Sequence, residues 1–352
     1  MPKNLVICCD GTGNEFGDSN SNVVKLYSLL DNSSRQVTYY HPGLGTMGSR
    51  FALTKLTRWW TKIIGLAFGY GLMDNLTDAY VFLMHEYEDG DSVFLFGFSR
   101  GAYTARALAA MLRMFGLIRK GNEWLVPYAI RLFKSKIRNQ HSFDIAHRFK
   151  ATFSAECKPH FVGVWDTVSS VGWVYDPLNL PYTAHNPDIA VGRHALSIDE
   201  RRCAFRQNLW VPQVGQNSKQ VWFAGVHSDV GGGYAEDGLS NITLQWMLRE
   251  STQAGLLLKA DQSSSVGATS ANAPEDAVAA MHDSMTIWWR PIEILPRSYW
   301  DMRSQPPQKR WRIPLCARRW IADGSILHSS VEKRMKGGYN SPNLPKNPGF
   351  EY

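Results

Sequence analysis

The stretch Phe94-Leu95-Phe96-Gly97-Phe98-Ser99-Arg100-Gly101-Ala102-Tyr103-Thr104 constrains the fold of this chain more than any other. An apolar run leads into Gly97-x-Ser99-x-Gly101, and small residues at helical spacing follow (Gly101, Ala102, Ala105, Ala109). A strand that ends here, reverses within a few residues and continues as a helix forces the serine to the tip of the turn. The flanking glycines leave room for such a turn against its neighbours. The small residues let the helix lie close on a sheet. The plainer alternative is a strand-turn-helix whose serine only caps the helix. A serine hydroxyl is a weak nucleophile alone, so the first reading requires a histidine and a carboxylate elsewhere.

Other segments supply strands and helices in alternation. Asn4–Cys9 reads as a buried strand ended by Asp10-Gly11-Thr12-Gly13-Asn14, followed by an amphipathic helix over Asn22–Leu30. Val37–Tyr40 and Val93–Phe98 read as strands, and Met73–Tyr87 as a helix. Asn122–Lys136 and the region to Ala155 look helical, and His160–Val168 is a further strand. Ser169–Gly192 is rich in Pro, Gly and Asn and reads as a loop, with a short helix expected over Arg193–Arg202. Gln220–Val226 is again a strand and Ser240–Glu250 a helix. The alternation predicts an α/β fold, a mainly parallel sheet with helices on both faces and helical insertions.

In an open parallel sheet, function gathers beyond the carboxyl ends of the strands. Four of the expected strands end in reactive residues: Asp10-Gly11-Thr12, Ser99, Asp166 and His227. The chain order Ser99, Asp166, His227 is the order in which α/β-hydrolase triads occur. His227 would act as general base toward Ser99, and Asp166 would orient the imidazole. The oxyanion would be met by the backbone N–H of Arg100 and by Gly11 or Thr12. His227 precedes three glycines at a strand end, a setting that His41, His194, His282 and His328 lack. Asp229 competes with Asp166 but lies close to His227 in sequence; it suits ordering the histidine loop through backbone N–H groups. Asp10 serves either as a plain Asx-turn or as support for the oxyanion loop. Gly97 and Gly101 support the elbow, and the Arg100 side chain suits either an anionic group or a surface acid.

The 352 residues, 44% of them hydrophobic, are expected to form a single domain over 1–352. Five cysteines (Cys8, Cys9, Cys157, Cys203, Cys316) without metal or C-x-x-C spacing point to a reducing compartment, and no metal or cofactor is expected. The short apolar run before Asp10 is not expected to act as a signal peptide, and no apolar stretch is expected to span a bilayer. A cytoplasmic location is therefore expected, with export by a specialised secretion system left open. Within the net charge of +7, residues 281–352 carry twelve Lys/Arg against six Asp/Glu. This part reads as irregular and basic, without a specific nucleic-acid fold. Phe51–Leu72 combines Lys55, Arg58 and Lys62 with Trp59 and Trp60. It reads either as a packed insertion helix or as an interfacial lid making peripheral membrane contact. Ser263–Ala273 reads as a surface loop.

Four segments together carry a resemblance: Cys-Asp-Gly-Thr-Gly-Asn (9–14), Gly-Phe-Ser-Arg-Gly-Ala-Tyr-Thr-Ala-Arg (97–106), Val-Trp-Asp-Thr-Val (164–168) and Val-His-Ser-Asp-Val-Gly-Gly-Gly-Tyr (226–234). They resemble an α/β-hydrolase family of formerly uncharacterised domains that includes phospholipase effectors of bacterial type VI secretion systems. The likeness runs over roughly residues 3–255, and more weakly at His328-Ser329-Ser330-Val331. It implies a Ser–Asp–His hydrolase at Ser99, Asp166 and His227, acting on ester or phospholipid substrates. From its size the chain is expected to lack the large additional membrane-targeting region of the effectors.

Three functions compete at this stage. The first is a serine hydrolase of carboxylic esters, including acyl esters of lipids, working through an acyl-enzyme. The second is a non-catalytic binding module on a hydrolase scaffold. The third is a phosphohydrolase with Asp10 as nucleophile, although Thr12 stands where a second carboxylate is needed.

Overall fold

The computed structural model describes residues 2–11, 17–43, 71–135, 139–168, 172–173, 176–177, 180–211, 213–260, 276–301 and 308–352. In chain order the main elements are β1 (Asn4–Cys9), α1 (Asn22–Leu29), β2 (Gln36–His41), α2 (Leu72–Glu86), β3 (Ser92–Phe98) and α3 (Arg100–Phe115). Next come α4 (Val126–Lys134), α5 (Gln140–Phe153), β4 (Pro159–Trp165), β5 (Val191–Ser197) and β6 (Asn217–Phe223). The chain closes with α6 (His227–Gly231), α7 (Gly238–Gln253), β7 (Ile326–His328), α8 (Ser329–Lys336) and β8 (Gly349–Glu351). Eight strands form one sheet in the order β8-β7-β6-β5-β4-β3-β1-β2. Every neighbouring pair runs parallel. This is an α/β-hydrolase-like sheet.

The strands bury both faces, as strands of a helix-covered parallel sheet must. Alternate residues of β1 divide cleanly. Leu5, Ile7 and Cys9 pack with α2, α3, α4 and α5 on one side. Val6 and Cys8 pack with Phe94, Phe96, α1 and α7 on the other. Helix α3 is buried along almost its whole length, from Arg100 to Leu112 and at Phe115. Its alanines are what let it approach the sheet so closely.

One expected element is corrected. Residues 193–202 do not form a helix; Val191–Ser197 is strand β5, paired to β4 and β6. Arg193 and His194 gave the segment a polar look, yet both are buried inside the sheet layers. Each is satisfied there: Arg193 Nε meets Glu250 Oε2 at 2.5 Å, and the Thr167 N–H donates to His194 Nε2 at 3.2 Å. A buried polar group costs little once paired, so ladder geometry overrides the local pattern. The basic C-terminal part, expected to be irregular, adds β7 and β8 to the same sheet. Residues 51–70 of the expected insertion lie outside the described residues, and Leu72 opens α2. Residues 263–273 lie outside them as well.

Candidate active site

Because the sheet is parallel, the carboxyl ends of its strands share one edge. The backbone ladder continues past the strands and fixes the turns there. Asp10 N–H donates to His41 O at 3.0 Å, Ser99 N–H to Trp165 O at 3.0 Å and Asp166 N–H to Ala195 O at 2.8 Å. Ser99 has φ 58° and ψ −117°, and Asp166 has φ 39°. Both are strained conformations for residues with a Cβ, of the kind that concentrate at functional turns. The glycines of the motif are sterically required. A Cβ on Gly101 would lie 2.1 Å from Cys9 O, and one on Gly97 would lie 2.4 Å from Gly101 O.

Ser99, His227 and Asp166 meet at this edge although 128 residues separate the first two in sequence. Ser99 Oγ lies 2.9 Å from His227 Nε2, and His227 Nδ1 lies 2.5 Å from Asp166 Oδ2. All three side chains are buried. The imidazole is held between Phe98 and Phe205, with ring centroids 4.6 Å and 4.7 Å away. Its position also depends on Gly231, where a Cβ would penetrate the Phe98 ring, 1.9 Å from Cε2. Burial draws the His227 pKa below its ordinary value, opposed by the hydrogen bond and charge of Asp166. Burial alone would raise Asp166; the Arg319 guanidinium and His227 instead hold it well below the usual carboxylate range. The pair is therefore poised as neutral imidazole beside carboxylate at neutral pH, the state a general base needs.

The supporting residues divide by what they touch. Arg100 opens α3 directly after Ser99, so its backbone N–H stands at the positive end of a sixteen-residue helix. Its side chain is buried rather than on the surface, and burial lowers the guanidinium to about 10. The Gly11 N–H donates to Asp10 Oδ1 at 2.6 Å, and Thr12 lies outside the described residues. Asp10 also accepts from Ser21 Oγ at 2.7 Å and Tyr40 Oη at 2.9 Å. Asp10 thus ties the turn after β1 to α1 and β2. Asp229 does not face His227. Its Oδ2 accepts the Val226 N–H at 2.9 Å, and its Oδ1 lies 2.6 Å from His282 Nδ1. It orders the histidine turn and anchors residue 282 to it.

Several contributors carried no sequence signal. Arg319 grips both oxygens of Asp166, and the Ser197 N–H donates to Asp166 Oδ1 at 3.0 Å. Glu200 Oε2 accepts the His227 N–H at 3.2 Å and is itself paired to Arg202. Phe205 packs on the imidazole from a short 3₁₀ turn over Cys203–Phe205. Arg319 is 153 residues from its partner and sits in a basic run, where nothing local marks it. Of the other histidines, His194 meets the Thr167 N–H and His328 the Ser330 hydroxyl, and burial lowers both to about 3. Burial likewise pushes the Cys9 thiol up to about 12, leaving no reactive thiolate beneath the serine.

The chain is similar to several known proteins. The chain is 38% identical to "Uncharacterized protein YEL023C" of Saccharomyces cerevisiae over 229 residues, 60% of this chain and 33% of the relative. It thus spans about a third of that relative's length. Among solved structures, one of an uncharacterized protein from Pseudomonas aeruginosa matches 74% of this chain and 47% of its own, at 18% identity and a TM-score of 0.45. Another, of the Tle1 effector bound to the VgrG spike from the type 6 secretion system, matches 100% of this chain and 94% of its own, at 13% identity and a TM-score of 0.43. The model of one family, described as the catalytic domain of Tle1-like phospholipase effectors of the type VI secretion system, matches residues 3–250. The chain belongs to that Tle1-like phospholipase effector family, through its catalytic domain.

Proposed function

We propose that this protein is a serine hydrolase of carboxylic esters, with acyl esters of phospholipids as its substrate class. The observation that carries the reading is the continuous line Ser99 Oγ, His227, Asp166, with separations of 2.9 Å and 2.5 Å. In this reading His227 Nε2 takes the Ser99 proton as Oγ attacks the ester carbonyl. The imidazolium then returns that proton to the departing alcohol, leaving an acyl-serine. Water, deprotonated by the same imidazole, releases the acid and restores the serine. The Arg100 N–H meets the developing oxyanion, helped by the dipole of α3. A second donor is assigned to the backbone N–H of Gly11, once released from Asp10, or to that of Thr12.

Two features support a lipid rather than a small soluble ester. The first is membership of a phospholipase effector family. The second lies in residues 287–301 and 308–316, where Trp288, Ile294, Leu295, Trp311 and Leu315 are exposed in a stretch whose sequence is rich in arginine. Leu315 is tied to the Glu293 backbone at 3.0 Å, and Trp289 packs on Phe205, which in turn packs on His227. Exposed aromatics beside basic side chains suit an anionic bilayer surface. No helix among the described residues is long and apolar enough to cross a membrane.

The test is a substrate panel run from p-nitrophenyl butyrate to diacyl phospholipids in vesicles. The expected result is slow turnover of the soluble ester and at least about tenfold higher kcat/KM on vesicles containing phosphatidylglycerol. Turnover of the soluble ester alone leaves an esterase without the lipid assignment. Turnover of neither favours a binding module.

A further inference from the structure

We infer that Arg319 is a positioning residue for the hydrolysis proposed above, on which this inference rests. Its guanidinium fixes the Asp166 carboxylate on His227 and offsets part of that carboxylate's charge, so that the imidazole stays neutral to lower pH. Arg319 lies beyond the residues 3–250 matched by the family, so the C-terminal part of this chain completes the site.

The geometry is a two-pronged grip. Nη1 lies 2.5 Å from Asp166 Oδ1 and Nη2 lies 2.9 Å from Oδ2. Nη1 also donates to Ser197 Oγ at 2.7 Å, and Nη2 donates to the Phe205 carbonyl. Both ions are almost completely buried. A carboxylate that only orients a histidine is commonly served by backbone N–H groups; here a full positive charge shares it. Planar bidentate pairing of this kind fixes direction as well as charge. The arginine is itself held in register. Asn343 Nδ2 donates to both Arg319 O and Ile198 O at 3.0 Å, and Arg318 reaches Asp199 at 3.4 Å. Segment 318–343 is thereby pinned to the end of β5, next to the aspartate.

Charge arithmetic around the imidazole gives the consequence. The groups acting on His227 are Asp166 after β4, Glu200 and Arg202 after β5, Ser99 before α3, and Arg319 behind Asp166. His194 on β5 borders Asp166 and is neutral. An unopposed aspartate at 2.5 Å favours imidazolium, which cannot accept the serine proton. A cation on the far side of that aspartate weakens the effect. Removing it should make His227 more basic and move the acid limb of the pH profile upward.

The experiment is the pH dependence of kcat/KM on p-nitrophenyl butyrate for wild type, Arg319→Gln and Arg319→Lys. In Arg319→Gln the acid limb is expected to rise by about one pH unit, with kcat lowered about tenfold and KM nearly unchanged. Arg319→Lys keeps the charge and is expected to hold the limb near the wild-type position while losing part of kcat. An unmoved limb in Arg319→Gln overturns the inference, as does a limb in Arg319→Lys displaced as far as in Arg319→Gln. Should Arg319→Gln not fold, the wild-type His227 imidazole is titrated directly by NMR. A midpoint below about 6.5 is expected, and one at or above that value overturns the role of Arg319. A wild type inert on every ester overturns the hydrolase reading and this inference with it. An active wild type with an unmoved limb overturns only the inference.

Discussion

Exchange of Ser99 for alanine is expected to lower kcat on a short ester by about 10⁴-fold or more, with KM little changed. The hydroxyl is the only atom removed, and in the proposed mechanism it forms the covalent bond to the acyl group. What remains at the site is the oxyanion donor and binding contacts, which give only residual rates. The fold should survive. Alanine keeps a Cβ at φ 58°, so the strain of the turn is unchanged, and Gly97 and Gly101 still provide its room. Steady-state turnover read beside thermal melting separates the two effects. A variant within tenfold of wild type, equally folded, contradicts the assignment of Ser99.

Asp166→Asn is expected to do damage of two kinds. Activity should fall by about 10⁴-fold, because an amide facing His227 Nδ1 favours the wrong tautomer or leaves Nδ1 without an anion. Stability should fall as well, by about 3–5 kcal/mol, because the substitution leaves Arg319 buried without its counter-ion. The stability loss has a pH signature. The folded-state carboxyl of Asp166 titrates well below its unfolded value of about 3.9. Its contribution is therefore fully present above that unfolded value and is lost as pH falls through the folded one. Melting curves of wild type and Asp166→Asn should lie far apart at pH 7 and converge as pH drops below about 4. A constant gap across that range means that the Asp166 charge does not supply the stability.

Much of the sheet was legible because its strands are continuous apolar runs bounded by turn residues. Asn4–Cys9 and Ser92–Phe98 are buried on both faces, and hydrophobicity without polar interruption says so directly. Segment 191–197 was not legible. Its Arg193 and His194 are polar residues buried by pairing, and pairing partners such as Glu250 are invisible to a local pattern. The same limit applies to the edge where the site forms. Gly-x-Ser-x-Gly announces itself because one of its glycines answers a contact only four residues away, that of Gly97 with the carbonyl of Gly101. The positions of Asp166 and His227 at strand ends follow from parallel topology. Arg319 follows from nothing local, since it meets Asp166 across 153 residues of sequence. Asp229 was set below Asp166 because of its closeness to His227 in sequence, and its carboxylate turns to Val226 N and His282.

In the proposed mechanism one alcohol oxygen, activated by one imidazole, makes a covalent bond to the electrophile. The direct measurement is the intact mass of the protein after incubation with a fluorophosphonate probe, followed by peptide mapping. A single adduct located on Ser99, and absent from His227→Ala under the same conditions, is the predicted result. A folded wild type that takes up no adduct, or takes it up on another residue, contradicts the account.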